Sequence, residues 1–106
     1  GLYIPTVGVG GTDTATSIIE KIDDAINNNA SICIFAHNVE DVVTDNMNCS
    51  TAVYTAILNG IKQRVENGLC DVVTFREFFN HWCPEDYEKL MCNRYEKEKQ
   101  YILEQI

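Results

Sequence analysis

Apolar residues recur along this chain with two periods, and each switch between them marks an element. Leu2-Tyr3-Ile4-Pro5-Thr6-Val7-Gly8-Val9 is short, apolar and rich in β-branched residues. It predicts a strand, with Pro5 near its start or on an edge. Gly8, Gly10 and Gly11 punctuate the loop that follows. From about Thr14 to Asn29, Ile18, Ile19, Ile22, Ala25 and Ile26 repeat at helical spacing, with Lys21, Asp23, Asp24 and Asn27 on the wet side. Thr12 or Asp13 can cap this helix. Asn27-Asn28-Asn29 ends it, because asparagine tolerates left-handed backbone. Ser31-Ile32-Cys33-Ile34-Phe35-Ala36 is an almost continuous apolar run, the mark of a strand covered on both faces in a parallel sheet. His37 stands at its C-terminal end, and a polar loop runs from Asn38 to Ser50.

The second half repeats the alternation. A helix is predicted from about Thr51 to Asn67, with Ala52, Val53, Ala56, Ile57, Ile61 and Val65 as its buried face and Asn67-Gly68 as its close. Cys70-Asp71-Val72-Val73-Thr74 predicts a third short strand. Thr74 then caps a short helix, Phe75 to His81, in the capping-box pattern Thr74-Phe75-Arg76-Glu77. Pro84 opens a last helix, about Glu85 to Gln105, with Tyr87, Leu90, Met91, Tyr95, Ile102 and Ile106 as an incomplete stripe. The predicted class is α/β: a parallel strand–helix–strand–helix–strand order with a terminal helix. Residues 1–82 form the β/α segment and residues 83–106 a helical tail. Three apolar strands need cover on both faces, more than two amphipathic helices supply, which points to missing neighbours.

Composition narrows the partners. The formal net charge of −8 over 106 residues opposes a nucleic-acid partner, which needs a basic face, and opposes an anionic membrane surface. Neutral glycan stays allowed, and a soluble chain is expected. The five cysteines are odd in number and contain no CxxC pair, so zinc fingers and redox motifs are disfavoured and a reducing compartment is suited. Cys33 and Cys70, inside apolar runs, are expected as buried thiols. No long apolar run or signal peptide is apparent, and an opening Gly1 without Met predicts a longer parent polypeptide.

The sharpest chemical candidate is His37. Functional residues of parallel α/β folds gather at the C-terminal ends of strands, and imidazole moves protons near neutral pH. A strand-end histidine bonded to nearby backbone is the competing expectation. Gly8-Val9-Gly10-Gly11-Thr12-Asp13 is a poor phosphate loop, because GxGxxG would need glycine where Asp13 stands and no GK[ST] follows. Glu40, Asp41 and Asp45 could bind metal beside His37, but a solvated acidic loop is favoured. His81 and Cys83 lack a second ligand pair. Trp82 is expected to cap the core. The tail helix is a possible site of homo-oligomerisation, although Arg94 and Glu98 interrupt its heptads and favour a packed or solvated helix.

Taken in order, these pieces resemble the last third of the NodB-type polysaccharide deacetylases. The helix carrying Ile22-Asp23-Asp24-Ala25-Ile26 runs into Asn27-Asn28-Asn29. The strand Ile32-Cys33-Ile34-Phe35-Ala36-His37 is similar to the family's fifth motif, hydrophobic residues leading to a histidine. The helix from Ala52 to Val65 leads to Asp71-Val72-Val73-Thr74-Phe75-Arg76-Glu77-Phe78, which looks like the family's final strand and helix start. The similarity spans roughly Tyr3 to Trp82.

That resemblance implies the C-terminal part of a deformed β/α barrel. It also implies hydrolysis of acetyl groups from N-acetylated sugars with a divalent, zinc-like metal. In the family an aspartate and two histidines of early motifs hold the metal, and a further early aspartate is the base. The fifth-motif histidine protonates the leaving amine, a role that maps here onto His37 alone. This sequence has two histidines and no TFDD-like or HxxxH segment. The metal site and base are therefore expected in the remainder of a longer polypeptide, with no cofactor in this segment and Asp13 as the candidate acidic partner of His37. Two other expectations stand beside this one. One is a non-catalytic glycan- or protein-binding module on the same scaffold, as in a phage tail or surface-recognition protein. The other is a small unrelated α/β domain.

Overall fold

A computed structural model describes residues 4–105 of the chain, the side chains of Tyr87, Leu90 and Tyr95 excepted. Leu2, Tyr3 and Ile106, assigned above to the first strand and the tail stripe, lie outside the described residues. The chain forms two compact units, the first ending at Asp71 and the second beginning at Val72.

The first unit mixes short strands and helices. Strand β1 (Thr6–Gly8) leads to helix α1 (Ala15–Asn27), which returns the chain to strand β2 (Cys33–Phe35). β1 and β2 pair in parallel, with Thr6 opposite Cys33, Val7 opposite Ile34 and Gly8 opposite Phe35. Thr14, one residue beyond the expected cap, receives the Ser17 amide on its hydroxyl at 3.1 Å, and the Ser17 hydroxyl reaches back to the Thr14 amide. Asp13 is turned away from capping, because its carboxylate accepts the Gly10 N–H at 2.8 Å. Asn29 takes the left-handed backbone expected of the asparagine run, at φ 52°.

The polar loop after β2 holds two strands with no periodic signal of their own. β3 (Val39–Glu40) pairs in parallel with β4 (Cys49–Ser50). Glu40 organises the intervening loop, receiving the Thr44 N–H at 3.0 Å and the Thr44 hydroxyl at 3.0 Å. The Thr44 amide, and then the Thr44 hydroxyl, Asn48 and Asn38, hold the Glu40 carboxyl below its ordinary range. Helix α2 (Thr51–Glu66) starts directly from β4, capped by Ser50.

The core lies where the two helices meet the strands. Val9, Ile18, Ile22, Cys49 and Ile57 are buried, with Ile19, Ile26, Ile34, Ala36, Val53 and Ile61 packed around them. Period-two alternation sends Val7 and Ile34 to this core and their strand neighbours to the other face. Among the described residues of the first unit, the face of this sheet opposite the core is exposed. Cys33 is exposed and Phe35 is 44% exposed, correcting the expectations of a buried Cys33 thiol and of a strand covered on both faces. α1 and α2 pack closely at Gly60, where a β-carbon would strike the Ile19 side chain. Beside that crossing, Arg64 grips Asp23 with two parallel bonds, Nε to Oδ1 at 2.6 Å and an Nη to Oδ2 at 2.9 Å. The planar guanidinium fits a carboxylate in this fork geometry. The Arg64 hydrogen bond and charge hold the Asp23 carboxyl below its ordinary value of 3.8.

The third predicted strand is not a strand. Cys70–Thr74 pairs with no other strand among the described residues, Cys70 is half-buried, and Val72 is 67% exposed. A β-branched run becomes a strand only where an open edge takes its backbone bonds. This run crosses instead from the first unit into the second, and it closes the account of a third strand in the sheet. The expected strand–helix–strand–helix–strand order gives way to two small two-stranded parallel sheets with helices.

The second unit contains helix α3 (Phe75–Trp82) and helix α4 (Pro84–Gln105), which pack on each other. The capping box at Thr74 forms as the sequence predicts, with both reciprocal bonds to Glu77 present. Trp82 does not cap a core. It is 58% exposed and packs against Phe78 and His81. Along α4, Tyr101, Ile102 and Leu103 are exposed. No described helix is long and apolar enough to cross a membrane.

Candidate functional site

Because β1 and β2 run parallel, their C-terminal ends share one rim, and two loops leave from it. The loop after β1 carries Gly10, Gly11 and Asp13, and the segment after β2 carries His37 and then β3. The rim is knit by backbone: the Val9 N–H donates to Phe35 O at 2.9 Å and the Gly11 N–H to Asn46 O at 2.9 Å. Gly11 permits this approach, since a β-carbon there would come within 3.1 Å of Asn48 O and of the Val43 side chain. The glycine-rich segment is thus a seat for the 43–48 loop.

His37 lies two residues beyond the end of β2 and is exposed. Its imidazole meets the Phe35 ring edge to face, with centroids 5.7 Å apart and planes at 84°. This is a favoured aromatic geometry. Among the described residues, no hydrogen bond or ion pair joins His37 to Asp13, whose carboxylate is taken by the Gly10 amide. Nor is His37 bonded to a nearby backbone group there. The ring is exposed, and Phe35 is the aromatic neighbour it packs against.

The acidic residues nearby are put to structural use. Glu40 braces the 38–48 loop, and Asp45 Oδ1 receives the Met47 N–H at 2.7 Å to shape a turn. Among the described residues, no three of His, Cys, Asp and Glu come together in a way that could hold a metal ion. The divalent metal that the deacetylase resemblance implies therefore finds no fitting ligand set in these residues. His81 and Cys83 flank Trp82 in the second unit, where the His81 ring contacts Trp82 at 5.2 Å.

Comparison with models of known families, with curated proteins and with solved structures returned no match.

Sequence reasoning singled out His37 but not the Phe35 ring beside it, nor two features of the α1–α2 crossing. Phe35 was legible as a same-face neighbour, since residues i and i+2 of a strand share a face. The Arg64–Asp23 fork carried no local signal, because its partners are 41 residues apart. Gly60, in the middle of a helix, was the remaining clue: an interior helical glycine costs about 1 kcal/mol against alanine and so marks a close approach.

Proposed function

We propose that this chain is the C-terminal part of a metal-dependent deacetylase acting on N-acetylated polysaccharide, with His37 as its general acid. One observation carries the proposal: an exposed imidazole, fixed just past the end of a parallel strand and held ring against ring by Phe35. Support also comes from the order of motifs around it, the apolar strand before His37 and the helix and capped helix start after it.

In this role water, deprotonated by a base outside these residues, adds to the acetamide carbonyl; protonated His37 then gives its proton to the nitrogen as the C–N bond breaks, releasing a free amine and acetate. The base and the metal ligands belong to polypeptide outside these residues, and no step here is routed through the metal. A solvent-facing acid suits a polymer, whose acetamide group must approach from outside.

The test uses the complete polypeptide and an N-acetylglucosamine oligomer, with released acetate as the readout. His37→Ala is expected to lower turnover about 10²–10⁴-fold, with an unchanged circular dichroism spectrum. Unaltered turnover removes His37 from the chemistry. The second reading, a non-catalytic glycan- or protein-binding module, is favoured by the exposed Phe35 ring beside His37. It predicts glycan binding by calorimetry with no acetate release from the unaltered polypeptide.

A further inference from the structure

On the rim of the β1–β2 sheet three residues are stacked in a row. Paired residues of parallel strands project to the same face, so Gly8 and its partner Phe35 share the face turned from the core, as does His37 two positions on. A β-carbon on Gly8 would lie 3.0 Å from Phe35 Cζ, 3.3 Å from Cε2 and 3.5 Å from Cε1. The Phe35 ring therefore lies directly over the Gly8 backbone, in the space that a side chain would fill. Against that ring stands the His37 imidazole at 5.7 Å. Phe35 is an apolar ring left 44% exposed, although the core is close by. Its place is explained by what it touches on either side.

We infer that Phe35 is the positioning residue of His37 and that the missing side chain of Gly8 is what seats it. The inference rests on the reading of His37 as the acid. A proton donor on an exposed segment past a strand end would otherwise sample several rotamers. Misplacing a catalytic group by about 1 Å can cost about 10²-fold in rate, and a seat that fixes orientation guards against that loss. The aromatic pair supplies a directional contact beyond burial, enough to favour one rotamer about twofold to tenfold. Gly8 acts at one remove: with a side chain there, the Phe35 ring is pushed off and the His37 contact goes with it.

Three variants test this: Phe35→Leu, Phe35→Tyr and Gly8→Val. In the 106-residue chain, proton NMR should show Overhauser contacts between the His37 and Phe35 rings and ring-current shifts on the His37 ring protons. Phe35→Leu and Gly8→Val should abolish both signatures, and Phe35→Tyr should keep them. In the complete polypeptide, Phe35→Leu should lower kcat about tenfold with KM unchanged, the pattern of a lost transition-state interaction, and Phe35→Tyr should restore it. His37 signals that are identical in Phe35→Leu and the unaltered chain overturn the inference. So does a Phe35→Leu effect confined to KM. Thermal unfolding by circular dichroism identifies a variant that fails to fold, and Gly8→Val then decides the question without altering either ring. If His37→Ala leaves turnover intact while the unaltered chain shows the ring contacts in its spectrum, the functional reading has failed and the geometric one has not.

Discussion

Truncating Ile18 to alanine probes whether the small core of the first unit holds it together. Ile18 is fully buried, at 0% exposure, in the cluster with Val9, Ile22, Cys49 and Ile57. The change removes three carbons, each contributing about 0.8 kcal/mol of transfer free energy, for about 2.4 kcal/mol. A cavity term adds to this wherever the surroundings cannot collapse. They are constrained here, since the Gly60 contact and the Arg64–Asp23 fork hold α1 against α2. Alanine's better helix propensity returns about 0.4 kcal/mol. The expected net loss is about 3 kcal/mol, out of about 4–10 kcal/mol for a unit of this size. The assay is urea titration followed by far-ultraviolet circular dichroism. With a slope of about 1 kcal/mol/M, the midpoint should fall by about 3 M. Ile102→Ala is the control: Ile102 is exposed on α4, and its loss should stay within about 0.5 kcal/mol. A loss below about 1 kcal/mol for Ile18→Ala would refute the packing described around it.

Other consequences follow from the helix contacts. The folded pKa of Asp23 lies below its ordinary 3.8 and that of Glu40 below its ordinary 4.5. Each therefore adds stability that is complete above its ordinary value and is lost as pH falls toward the lower folded value. The thermal midpoint should drop on acidification below pH 4.5, and Arg64→Met should make that drop shallower by removing the Asp23 share. Equal slopes in the two proteins would count against the fork. Gly60→Ala gains about 1 kcal/mol of helix propensity but places a β-carbon against Ile19, at an overpacking cost of about 1–3 kcal/mol. Ile19→Val removes the obstructing Cδ1, so a double-mutant cycle should show a favourable coupling of about 1 kcal/mol. Strict additivity would mean that the two side chains do not meet.

The helices were legible because their apolar residues repeat with the helical period and their caps are chemically distinct. Thr74 with Glu77 is the clearest case, where four residues specified two reciprocal bonds. Thr12 and Asp13 misled because a capping residue is chosen by where the chain turns, and the Gly10–Asp13 bond moved that point to Thr14. Val72 and Val73 misled for a different reason. Strand propensity describes a surface that fits a neighbouring strand, and the described run from Cys70 to Thr74 joins neither sheet. β3 and β4 are two residues each, too short for any alternation to register. At the candidate site, the position of His37 followed from strand direction. The Gly8 seat under Phe35 did not, because it depends on register, and register is a relation between strands rather than a property of either.

Cys49 gives the first unit a chemical clock. It is the buried thiol of the five, at 0% exposure beneath the start of α2, while Cys33 and Cys92 are exposed and Cys70 and Cys83 half-buried. A thiol reagent can reach Cys49 only when the unit opens. Its modification rate divided by that of an exposed cysteine thus measures how often the closed state gives way, and turns the opening free energy into a count of labelled molecules.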